Sequence, residues 1–218
     1  MVAVALEPRE FGPGTALGPA RSVTARVTAT DPAGTSLLFH GLDRTPGGTP
    51  ARIALPGRHN AQDALCVAAA AAVLGVPVGA IVEGLASFGG VGRRMELKGE
   101  PAGVVVLDDY AHHPTAIAET LGAVRQRYPG RRLWAVYEPL TYHRTAALLD
   151  RFAAVLAGGA DAVVIAEIWA GRDPDTTIAS AAGLAAHVRP GDVVLVMGGG
   201  HSYRIAERLV EVLGATAL

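Results

Sequence analysis

Hydrophobic and polar positions follow two different rhythms along the chain, and the change falls near residue 93. Residues 22–30 and 35–40 are β-branched or alternate apolar with polar, which predicts two strands. Asp31-Pro32-Ala33-Gly34 between them is turn chemistry, so the two should pair as a hairpin. From residue 60 to 74 the pattern becomes helical and alanine-rich, and a shorter helix is expected over 78–88. Gly89-Gly90-Val91-Gly92 then reads as a hinge or linker.

Beyond residue 93, continuous apolar runs at 104–108, 133–137, 162–168 and 193–197 alternate with amphipathic stretches at 114–127, 145–156, 178–187 and 203–213. Strands that are apolar throughout are buried on both faces, which is the mark of a parallel sheet covered by helices. The expected fold class is therefore α/β, with a doubly wound, mostly parallel, Rossmann-like sheet over 93–218 and a smaller α/β region containing the hairpin over 1–92. Ligands of such sheets bind beyond the carboxyl ends of the strands. The polar clusters at 108–113, 138–144, 167–173 and 198–202 each follow a strand, so all four should share one edge.

Composition narrows the function. A formal charge of −1 provides no field that would recruit nucleic acid. The uncharged stretch 64–82 is about as long as a membrane span, but it is mostly alanine and is broken by Gly75, Pro77 and Gly79, so a buried soluble helix is expected instead. Cys66 is the single cysteine; it excludes an internal disulfide and is expected to be a small buried residue. Residues 1–9 lack the basic and apolar regions of a signal peptide, which makes the cytoplasm the expected compartment. Lys98 is the only lysine, every other cationic side chain being arginine.

Three clusters carry candidate chemistry. Pro56-Gly57-Arg58-His59-Asn60-Ala61-Gln62-Asp63 leads a loop into an apolar helix; Asn60 could cap that helix, with Asp63 in its first turn, or both could contact a nucleotide base. Arg93-Arg94 sits beside glycines, where a guanidinium fork can hold a phosphate or simply remain solvated. Asp108-Asp109-Tyr110-Ala111-His112-His113-Pro114-Thr115 packs two carboxylates and two imidazoles into one strand-to-helix turn, with Pro114 suited to the first helical turn. Adjacent histidines point in different directions and no further pair completes a cage, so no metal site is expected from these residues.

In this order and spacing the clusters resemble the Mur ligase family, and the Asp-Asp-Tyr-Ala-His-His-Pro-Thr run resembles its alanine-adding members. The resemblance runs from about residue 20 to the C-terminus. It implies that residues 1–92 are the distal part of the central ATP-binding domain and 93–218 the C-terminal Rossmann-like domain. It further implies ATP contacts at Asn60, Asp63, Arg94 and Asp108, and substrate contacts at His112, Tyr142 and Arg144. The implied reaction uses ATP and Mg2+ to form an acyl phosphate on UDP-N-acetylmuramate, which the amine of an amino acid then attacks. No residue is singled out as catalytic.

The chain departs from the family pattern at named positions. Asp63 replaces an asparagine, and when ionised it accepts hydrogen bonds but cannot donate them. Leu140 replaces a histidine in Pro139-Leu140-Thr141-Tyr142-His143-Arg144-Thr145. The Gly-Lys-Thr phosphate loop and the family's magnesium-assisting lysine have no counterpart, since Lys98 follows the hinge. Ligation by these 218 residues alone is therefore not expected, and a separate or missing N-terminal segment is implied as a partner. Two other readings are a murein-tripeptide recycling ligase, which shares Arg93-Arg94-Met95-Glu96-Leu97, and a non-catalytic binding module derived from the scaffold.

Overall fold

The computed structural model describes residues 2–6, 21–166, 168 and 189–216. The chain divides into two compact units, Met1–Gly89 and Gly90–Leu218. The expected helix over 178–187, and Glu167 and Asp173 of the third loop, lie outside the described residues.

The first unit is a four-stranded sheet in the order β1-β2-β3-β4, comprising β1 (Val2–Leu6), β2 (Arg21–Asp31), β3 (Gly34–His40) and β4 (Thr49–Ile53). The predicted hairpin is β2–β3, with Asp31 opposite Gly34. The Asp31 carboxylate accepts from the Ala33 amide at 2.8 Å and from Arg52 at 2.7 and 2.9 Å, which fixes the turn to β4. Gly34 has φ 146, and a Cβ there would lie 2.0 Å from the Ile53 carbonyl oxygen, so this corner requires glycine. Two helices, α1 (Arg58–Val73) and α2 (Val78–Ser87), bury Ala61, Leu65, Ala68, Ile81 and Leu85 against Val23, Leu37, Phe39 and Ile53. Alanine on α1 lets the helix backbone come close to the sheet. Cys66 is exposed rather than buried, because it faces away from that contact.

The second unit is a five-stranded sheet in the order β5-β6-β9-β7-β8, comprising β5 (Glu96–Gly99), β6 (Val105–Asp109), β9 (Val193–Gly198), β7 (Leu133–Glu138) and β8 (Ala162–Ile165). All neighbours are parallel except β5, which runs antiparallel to β6. The strand interiors alternate between two cores. Leu107, Leu133, Ala135 and Leu195 meet α3 (Pro114–Arg127) and α5 (Leu149–Gly159) through Ile117, Leu121, Phe152 and Leu156. Val106, Val136, Val194 and Val196 meet α6 (Ser202–Thr216) through Ile205, Ala206 and Leu209. The helix expected over 145–156 is two: α4 (Tyr142–Ala147) and α5, separated at Leu148, whose φ of −121 is not helical.

Arginine explains much of the amino edge of this sheet. Arg131 donates to the carbonyls of Gly103 and Asp192 at 2.7 and 3.1 Å, and the Asp192 carboxylate accepts from Arg132, from the Trp134 indole and from the Arg189 amide. A planar fork reaches several fixed acceptors at once, which an ammonium cannot. Among the described residues no helix is long and apolar enough to cross a membrane.

Candidate functional site

In the first unit, helix α1 starts at Arg58 behind Gly57, which has φ 99, so Asn60 is not the capping residue. Glycine takes the left-handed conformation that turns the chain into the helix, and this moves the helix start two residues upstream. Asn60 instead donates from Nδ2 to the Pro56 carbonyl at 2.7 Å, which holds its amide oxygen away from the loop. Asn60 and Asp63 line one wall of a cleft of about 460 Å³ whose other walls are apolar, formed by Ile53, Leu55, Val67, Val76, Ile81 and Phe88 among others. An apolar slot with two polar groups on one side suits a flat heterocycle with hydrogen-bonding edges.

In the second unit the carboxyl ends of β6, β9 and β7 lie side by side, with β9 in the middle. Asp108 therefore lies beside Val196 on one side of β9, and Glu138 beside Gly198 on the other. Both carboxylates are buried, Asp108 at 0% exposure and Glu138 at 3%. Burial pushes each above its ordinary value; Arg93 opposes the shift at Asp108, and the Ser202 amide opposes it at Glu138. Glu138 accepts from that amide at 3.1 Å. A Cβ on Gly198 would stand 3.0 Å from the Cβ atoms of both Glu138 and Ser202, so glycine lets the three segments close together.

Arg93 lies among these groups. Its Nε donates to Asp108 Oδ2 at 3.1 Å and its Nη2 to the Gly198 carbonyl at 2.7 Å and Ser202 Oγ at 3.1 Å. Its Nη1 reaches the Gly200 carbonyl at 3.3 Å. Asp108 Oδ1 is buried with no hydrogen-bond partner among the described residues. Arg94, by contrast, is exposed; among the described residues its guanidinium meets only the Tyr110 ring, at 5.8 Å.

The Asp108–Thr115 turn separates into distinct roles. Asp109 is scaffolding: it accepts from the amides of Met95 and Ala111, both at 2.8 Å, and from Thr120 Oγ1 at 3.3 Å. His113 caps α3 by accepting from the Thr115 amide at 3.3 Å. His112 pairs its Nδ1 with the Tyr110 carbonyl at 2.8 Å, which directs Nε2 away from the turn. Leu140 and His112 both border Gly199, at 3.0 and 3.6 Å from a Cβ built there.

Tyr142 is 60% exposed on α4, whereas Arg144 buries its Nη1 with no partner among the described residues. Tyr137 also has a buried hydroxyl with no partner among the described residues, and burial pushes it up to about 12 against the opposing charge of Arg144. Tyr137→Phe removes only an unsatisfied group. It should leave unit stability unchanged or raise it by up to about 1 kcal/mol in urea unfolding.

The structure thus brings Asp108, His112 and Leu140 to one edge and places Asn60 and Asp63 on one cleft. Sequence reasoning missed the roles of Arg93, Glu138 and Ser202. A carboxylate ending an apolar strand was the available signal, because a buried Glu needs a donor. Among the described residues no group of three His, Cys, Asp or Glu side chains is placed to hold a metal ion.

The profile of the Mur ligase glutamate ligase domain matches residues 93–200. A UDP-N-acetylmuramate–L-alanine ligase from Clostridium novyi is 38% identical over 181 residues, covering 72% of this chain and 39% of that protein. The solved UDP-N-acetylmuramate–alanine ligase of Thermotoga maritima superposes with a TM-score of 0.72 at 22% identity, covering 89% of this chain and 48% of that one. The MurF ligase of the same organism, solved in complex with ADP, gives 0.58 at 19% identity, covering 91% and 50%. The chain spans about two fifths of the length of the curated relatives it matches. From the motifs, the paired units and these matches together, the chain belongs to the Mur ligase family.

Proposed function

We propose that this chain forms the distal part of an ATP-dependent ligase that joins L-alanine to UDP-N-acetylmuramate in the cytoplasm, at the start of peptidoglycan peptide assembly. The observation that carries the reading is the edge built from Arg93-Arg94 and Asp108–His113, which combines an exposed guanidinium with a buried carboxylate oxygen lacking a donor. In this reading Arg94 holds ATP phosphate, Asp108 the ribose, and Asn60 with Asp63 the adenine in the apolar cleft. His112, Tyr142 and Arg144 face the amino acid and the muramyl substrate. Catalysis of this kind depends on positioning and on neutralising developing charge. Among the described residues no cluster of carboxylate or imidazole side chains fits Mg2+. Residues 1–92 would be the distal part of the central domain and 93–218 the C-terminal domain.

The test is phosphate release by a ligase reconstituted from this chain and a segment bearing the Gly-Lys-Thr loop. With UDP-N-acetylmuramate, ATP, magnesium and L-alanine, release at rates on the order of 1–10³ s⁻¹ is expected. Release with the murein tripeptide in place of L-alanine points to the recycling ligase. No release with either assigns the chain to a non-catalytic binding module.

A further inference from the structure

The two adjacent arginines differ in what they touch. Arg93 has φ 58, a left-handed conformation in a residue that carries a side chain, and Met95 follows with φ 49. Such backbone is disfavoured and persists only where surrounding contacts hold it. Here they are numerous. The Arg93 amide donates to Glu96 Oε2 at 2.9 Å, and its carbonyl accepts from the Tyr110 amide at 2.9 Å. Its guanidinium lies against the rings of Tyr110 and Tyr203, at 4.9 and 5.2 Å. Its three nitrogens reach Asp108, Gly198, Gly200 and Ser202.

We infer that Arg93 is the positioning residue of the candidate site: it takes no ligand itself, but pins the β9–α6 loop and the β6–α3 turn to each other and thereby aims Arg94 and the unpartnered oxygen of Asp108. By occupying Asp108 Oδ2, Arg93 decides which carboxylate oxygen is left for a hydroxyl donor. By fixing the backbone on both sides of residue 94, through its own carbonyl and through the Met95 amide on Asp109, the same segment fixes where the neighbouring guanidinium emerges. A lysine would keep one charge near Asp108 but cannot hold two carbonyls, a hydroxyl and a carboxylate in one plane.

This inference rests on the nucleotide reading proposed above, but its first test needs no nucleotide. Amide hydrogen exchange is followed in the full chain with Arg93→Lys and, separately, Arg94→Ala. In Arg93→Lys the amides of Tyr110 and Ser202 should exchange at least about tenfold faster, while those of Val194 to Val196 keep their rates. Arg94→Ala should change neither set. Equal acceleration across β9, or none at Tyr110 and Ser202, overturns the inference.

The second test uses the reconstituted ligase. Arg93→Lys should raise the KM for ATP about tenfold with kcat largely kept, since the contacts are repositioned rather than removed. An unchanged KM with loosened loops would also overturn it. If the unaltered ligase shows no ATP dependence, the nucleotide reading falls and the exchange result stands independently.

Discussion

Replacing Arg93 with methionine should destabilise the Gly90–Leu218 unit by about 3 kcal/mol at neutral pH, the low end of the cost of leaving a buried charge without its partner. Asp108 is fully buried and Arg93 is its only cationic hydrogen-bond partner among the described residues, while the Arg93 side chain itself keeps 26% exposure. The loss should depend on pH in a definite direction. Asp108 is already raised above 3.8 by burial, and Arg93 opposes that rise. Without Arg93 the folded carboxyl binds its proton still more readily than the unfolded one. Its folded state then gains stability as pH falls through the raised value towards 3.8, and loses it as pH rises. The deficit in Arg93→Met should therefore be greatest above neutrality and shrink in mild acid, as read by urea unfolding at a series of pH values. A deficit that does not change with pH would mean that the ion pair contributes nothing and only packing was lost.

The same burial explains which parts of the fold could be read from sequence. Strands β6, β7 and β9 are buried on both faces, so their apolar runs are unbroken and their limits fall within a residue of expectation. Helix α3 was legible from end to end because Pro114 opens it and its apolar positions repeat at helical spacing. Strands β4 and β5 were not legible. Thr49–Ile53 contains Pro50 and Arg52, and Glu96–Gly99 is four residues with charges at Glu96 and Lys98 and a glycine at its end; both lie at sheet edges, where one side needs no apolar cover. Cys66 was misplaced because a run of alanines gives little contrast between the two faces of α1.

At the candidate site, sequence identified which residues belong together but not how each is used. Adjacent chemically identical residues proved unlike: Asp109 is tied to two amides whereas Asp108 keeps an unpartnered oxygen, and His113 caps a helix whereas His112 turns outward. Alternation along the strand decides the first pair, sending neighbours to opposite faces. The start of α3 decides the second, since only the residue just before Pro114 can receive the Thr115 amide. Nothing in the residue types could assign the arginines, because both are chemically suited to phosphate.

Arg94→Ala should separate that last pair most sharply. If Arg94 grips ATP phosphate through charge-assisted hydrogen bonds, its loss should cost about 1.5–3 kcal/mol, an increase in the nucleotide dissociation constant of roughly 10- to 150-fold. The melting temperature should hardly move, since Arg94 is exposed and among the described residues its guanidinium makes only the distant approach to Tyr110. Salt provides an internal check: a phosphate contact at an exposed arginine weakens as ionic strength rises, so the gap between Arg94→Ala and the unaltered ligase should narrow between 0.01 M and 1 M salt, where the screening length falls from about 30 Å to about 3 Å. Isothermal titration with ADP on the reconstituted ligase measures both. Unchanged affinity in Arg94→Ala, with loss instead in Arg93→Lys at intact loop exchange, would reverse the roles of the two arginines and place Arg93 on the ligand.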